Sequence, residues 1–95
     1  MKTYIILSRF SSDTFKDPKD LREKADVVSE KIKSECKGVV WKESYVIMGR
    51  YDVIDIVEAD DPTLVEKAAM IIRGYGACST ETMPATPWKE FLKTL

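Results

Sequence analysis

Two Asp-Pro pairs, Asp17-Pro18 and Asp61-Pro62, fix where helices start in this chain. Each sets a side-chain acceptor just before a proline, whose φ is already helical and whose missing N–H is not needed in the first turn. Behind the first pair, Leu21, Ala25, Val28, Ile32 and Cys36 recur at helical spacing and draw one apolar stripe. Lys31, Lys33 and Lys37 load its last turns with positive charge, and Gly38 is the expected stop. Behind the second pair, Leu64, Val65, Ala68, Ile71, Ile72 and Tyr75 make a wider stripe that Gly74 and Gly76 are expected to end. Capping also accounts for the acidic pair Asp60-Asp61, which is not read as a metal site.

Strand-like runs fill the remaining chain. Thr3 to Phe10 and Val39 to Met48 are rich in β-branched and aromatic residues, as is Tyr51 to Ala59. Gly49-Arg50 between the last two predicts a tight hairpin, and Gly49 is expected to supply a positive φ there. Ala77 to Met83 alternates as a fourth strand, and Thr86-Pro87 is expected to cap a terminal helical turn over 87–94 carrying Trp88, Phe91 and Leu92. The order βαββαβ, with right-handed crossovers, predicts an α+β ferredoxin-like sandwich. Its four-stranded antiparallel sheet, ordered 4-1-3-2, carries both helices on one face. At 95 residues, the chain reads as one domain spanning 1–95.

Composition removes several functions. There is no histidine, so the commonest general base and metal ligand is missing. Cys36 and Cys78 form no CxxC pair and read as reduced, largely buried thiols. No metal and no cofactor are expected. Gly74-Tyr75-Gly76 lacks the strand-then-helix context of a phosphate loop. A net charge of −1 gives no basic excess, so no nucleic-acid partner is expected. The apolar run Tyr4 to Leu7 is too short for a signal peptide or a membrane span. The expectation is a cytoplasmic protein that binds neither nucleic acid nor membrane.

Hairpin parity sorts the side chains into two faces. A two-residue loop opposes Met48 to Tyr51, Val46 to Val53 and Ser44 to Asp55 on one face. The other face opposes Tyr45 to Ile54, Glu43 to Ile56 and Trp41 to Glu58. The second set keeps its apolar residues central, as a helix-covered face should. The first set, with Lys42, Val57 and strand-one residues such as Tyr4, Ile6 and Phe10, is therefore assigned to the open face. Asp55 is the most informative residue of that set, because a carboxylate in a central strand is costly to bury unpaired. It reads either as a polar anchor in a pocket between two packed sheets or as a carboxylate satisfied by Ser44 or Lys42.

Gly49-Arg50-Tyr51-Asp52, the stretch Val53 to Ala59, the acidic-proline turn after it and Thr80-Glu81-Thr82 resemble the GYD domain family. The likeness covers nearly the whole chain. It implies a ferredoxin-like domain of the dimeric α/β-barrel type and carries no reaction. Asp55 departs from the small or apolar residue expected at its place. Tyr51 suits an interface. Asp52, near the carboxyl ends of both helices, is expected to find a cation such as Arg50, Lys33 or Arg73, or backbone donors. Gly49, Tyr51 and Asp52 are accordingly read as structural motif residues.

The resulting functional reading is a non-catalytic homodimer joined through its open sheet face. It holds a small, partly apolar ligand between the sheets, with Asp55, Ser44, Lys42 and Tyr51 as ligand-binding candidates. A cofactor-independent monooxygenase- or isomerase-like enzyme is the alternative, by fold analogy alone. Asp55, Tyr51 and Trp41 would then orient an aromatic substrate, though no base of matched pKa is evident. An effector-sensing regulatory domain is the third reading.

Overall fold

The structure, a computed structural model, describes residues 1–95. Seven elements follow one another: β1 (Lys2–Phe10), α1 (Pro18–Glu35), β2 (Val40–Val46), β3 (Val53–Ala59), α2 (Pro62–Tyr75), β4 (Cys78–Ala85) and α3 (Trp88–Leu92). Both long helices begin where the Asp-Pro pairs put them. Asp17 accepts the Lys19 N–H and Asp61 the Thr63 N–H, each at 2.9 Å, with proline opening the first turn. The antiparallel sheet has the order β2-β3-β1-β4, so the ferredoxin-like topology expected from the pattern is the one formed.

The helix ends are set differently from expectation. α1 stops at Glu35 with Cys36 as its cap, and Gly38 takes its left-handed φ of 105° in the turn beyond. α2 runs through Gly74, and its cap Gly76 stays right-handed, while Ala77 supplies the left-handed turn at φ 53°. At the terminal turn Pro87 occupies the cap position and no side chain, Thr86 included, caps it. The hairpin register matches the two-residue-loop pairing, with Val46 opposite Val53 and Ser44 opposite Asp55. Regular pairing nevertheless ends at Val46 and Val53, although Ile47 N–H still donates to Asp52 O at 2.8 Å. Gly49 does not adopt a positive φ, so the wider loop makes no use of the freedom expected of it.

The face assignment is inverted. Tyr4, Ile6, Val57 and Ala59 are buried beneath α2 with Val65, Ala68, Ile71 and Ile72. Phe10, Val46, Val53, Ser44 and Asp55 share that helix-side parity and line a space under α1. The uncovered face instead carries Ile5, Leu7, Ile54 and Ile56 in the middle, all half-buried, with Glu43, Tyr45, Glu58 and Glu81 around them. The reason lies in α1. Only its Ile32 is buried, so the helix stands off the sheet and leaves room for a carboxylate on the covered side.

A cleft between the first helix and the sheet

The space under α1 is a cleft of ≈ 680 Å³ lined mainly by apolar side chains. Leu21, Ala25, Val28 and Ile32, the predicted stripe of α1, form one wall. Val46 and Val53 face them from the sheet, and Cys36, Ile72 and Cys78 also contribute. Against this background the sheet side presents a small polar cluster.

Asp55 is its centre and is 7% exposed. Its Oδ1 accepts the Ser44 hydroxyl at 2.5 Å and the Trp41 indole N–H at 3.1 Å. The indole also lies 2.9 Å from Ser44 Oγ, which closes a triangle. Trp41 reaches this cluster because a β-bulge breaks the pairing between Trp41 and Glu43. Two residues then oppose one, and Trp41 stands opposite Val57 rather than Glu58. Unbroken alternation would place it on the other face.

The same bulge removes Lys42. Its ammonium lies 3.9 Å from Glu58 on the open face, away from Asp55. Tyr51 is also elsewhere, in the hairpin loop, where the Arg9 guanidinium sits 5.8 Å from its ring centroid. Of the four ligand-binding candidates, the structure therefore brings together Asp55 and Ser44, adds Trp41, and separates Lys42 and Tyr51. The motif loop is tied to β1 instead. Asp52 Oδ2 accepts the Phe10 N–H at 2.8 Å, Asp52 N–H donates to Ser8 O at 2.9 Å, and Arg9 Nε donates to Arg50 O at 2.7 Å. Asp52 thus takes a backbone donor, and none of the cations Arg50, Lys33 and Arg73 pairs with it.

Sequence reasoning missed Ser8 and Thr14. Both line the cleft, at 2% and 1% exposure. Thr14 Oγ1 donates to Ala77 O at 2.7 Å and accepts the Ser11 N–H at 2.9 Å. Ser8 Oγ is buried with no hydrogen-bond partner in the chain. Its signal was visible, since Ser8 alternates in phase with Tyr4 and Ile6. Cys36 and Cys78 are free thiols, and burial pushes both above the ordinary thiol range. At Cys78 the Thr14 hydrogen bond and Lys24 oppose that shift in part. No group of three or more Cys, Asp or Glu side chains is placed to hold a metal ion, and no helix is long and apolar enough to cross a membrane.

A family model described as the GYD domain matches residues 4–95. The chain belongs to the GYD domain family. Among its relatives, a Thermus thermophilus protein named glutamine synthetase and cystathionine beta-lyase binding protein is 28% identical, covering 100% of this chain and 99% of that protein. The crystal structure of a hypothetical protein from Pyrococcus horikoshii matches this GYD chain with a TM-score of 0.55 at 25% identity, covering 92% of each. The Mycobacterium tuberculosis leucine response regulatory protein superposes with a TM-score of 0.61 at 12% identity, covering 90% of this chain. The GYD chain spans only 51% of that regulator, and the likeness is one of fold alone.

Proposed function

We propose that this GYD protein is a non-catalytic binding module, a homodimer joined through its uncovered sheet face, that holds a small, mostly apolar ligand beneath α1. The observation that carries the dimer is the row of Ile5, Leu7, Ile54 and Ile56, which nothing in the chain covers. Contiguous apolar surface of this kind normally marks an interaction site. A second sheet packed at about 10 Å would cover it in a self-complementary twofold contact. The charged fringe of Arg9, Glu43, Glu58 and Glu81 then forms the polar rim that interfaces generally carry. The ligand site belongs under α1 rather than between the sheets, because Asp55 and Ser44 are on that side. The name of the Thermus thermophilus relative, which describes binding to two enzymes, supports a binding role and makes an enzyme a reasonable further partner.

Light scattering on the parent and on Ile54→Lys tests the assembly. The parent should run as a dimer. The variant, with an unpaired charge at the centre of the contact, should run as a folded monomer. A parent that stays monomeric and folded at micromolar concentration overturns the assembly. Val53→Lys, by contrast, should leave the dimer intact, since Val53 lines the cleft.

A further inference from the structure

We propose that the cleft recognises a primary ammonium carried on an apolar body, and that Asp55 and Ser8 receive it. The inference rests on the reading of the cleft as a ligand site and adds the chemistry of the ligand.

Asp55 is a buried carboxylate without a cation. The three ion pairs of the chain, Met1–Asp60, Lys42–Glu58 and Lys67–Glu35, all lie elsewhere. Its two donors, Ser44 and Trp41, are neutral and both address Oδ1. No hydrogen bond of the chain reaches Oδ2, and unlike Ser8 Oγ this oxygen is not sealed from solvent, so it is open to a ligand. Buried charges are ordinarily paired, because neutral donors offset only part of the lost hydration.

Ser8 supplies an independent observation on the same face. β1 and β3 pair Ile6 with Asp55 and Ser8 with Val53, so Ser8 sits diagonally beside Asp55. Such diagonal positions are roughly 7–8 Å apart. Its hydroxyl is the chain's one buried side-chain polar atom without a partner. An ammonium offers three donors and no acceptor. Placed between the two residues, it gives the carboxylate its counter-charge and the serine oxygen a donor. The rest of the ligand then lies against Leu21, Val28, Val46 and Val53.

Lys24, Lys33 and Lys37 also line the cleft, all from α1 and its C-terminal turn. Lys24 Nζ donates to Asp13 O at 2.9 Å, and Lys33 and Lys37 are exposed. None pairs with Asp55. Exposed charges are screened by salt, whereas the carboxylate acts in a less polar interior. The lysines nonetheless define the competing outcome, a ligand held by its anionic end.

Trp41 is both a member of the cluster and a reporter. In Trp88→Phe it is the sole indole, and its emission can be followed during titration with n-octylammonium, n-octanol and octanoate at neutral pH, below their micellar concentrations. Octylammonium should bind at least about tenfold more tightly than octanol. That margin should vanish in Trp88→Phe/Asp55→Asn and shrink in Trp88→Phe/Ser8→Ala, with urea midpoints reporting that each variant is folded. Should Asp55→Asn fail to fold, the ranking of the three probes on Trp88→Phe decides alone. Octanol binding as tightly as octylammonium, or octanoate binding best, overturns the ammonium while leaving an apolar cleft in place. No response to any of the three overturns the cleft as a ligand site, and the ammonium with it.

Discussion

Ser8→Ala should make the ligand-free protein more stable. An unsatisfied buried hydroxyl costs about 1–3 kcal/mol, and Ser8 Oγ is such a group, at 2% residue exposure. Alanine removes the oxygen, breaks no hydrogen bond and keeps Cβ. A few tenths of a kcal/mol return as the poorer strand preference of alanine. The net expectation is a gain of about 1 kcal/mol. In a domain of this size that raises Tm by roughly 4–8 °C, and it moves the urea midpoint upward by about 0.3–1 M at unchanged slope. Thr14→Ala is the matched control. Thr14 is equally buried, but its hydroxyl both donates to Ala77 O and accepts from Ser11 N–H. Its loss should lower stability by about 1–3 kcal/mol. Opposite signs at two buried hydroxyls of one cleft are what the bonding pattern requires. A Ser8→Ala midpoint at or below the parent's would refute the reasoning, because it would mean that the hydroxyl is satisfied in solution.

Asp52→Ala should cost about 1.5–3 kcal/mol in urea unfolding, since the Phe10 N–H loses a charged acceptor. Asp52→Asn, which keeps an acceptor, should cost less. Gly49→Ala should change the urea midpoint little, since Gly49 avoids positive φ and a methyl there meets nothing within 4 Å. Gly76→Ala should be clearly destabilising in the same assay, because its methyl would be driven against the Ile72 carbonyl. Ellman's reagent at pH 8 should modify the folded protein slowly, Cys36 more slowly than Cys78, and denaturant should equalise them, because burial raises both thiols. Their raised values also make stability full below the ordinary thiol value of about 8.5 and lost as pH rises from there through the folded-state values, because only the unfolded chain then readily gives up the protons.

The helix starts and the strand order were legible because Asp-Pro caps and hydrophobic periods are local signals. The β2–β3 register was legible too, since the sum of paired positions follows from where the loop is centred. Which face the helices cover was not read correctly. The positions of the carboxylates along the strands point to one face, while the number that each face carries points to the other. Glu43 and Glu58 share one parity with Asp52, while Asp55 stands nearly alone among apolar neighbours on the other. Ala68 and Ala69 on α2 were a further clue, as small residues let a helix approach a strand closely, here the strand of Val57 and Ala59. Trp41 is illegible for a different reason. Its position depends on the bulge at Lys42, and a bulge in a run of good strand formers leaves no local mark. The cleft was likewise illegible, because it depends on how far α1 stands from the sheet.

The two outer strands also bear on how copies of this chain can accumulate without damage. β2 and β4 are the free borders of the sheet, and an unguarded border is a template for adding strands without limit. On β2 the bulge interrupts the row of donors and acceptors and places charged Lys42 and Glu43 side by side. On β4, Pro84 has no N–H to offer an incoming strand. Both borders therefore resist the lateral growth that leads to fibrils. In the proposed dimer, each flat face would cover the apolar row of the other, which an added strand at either border would not do.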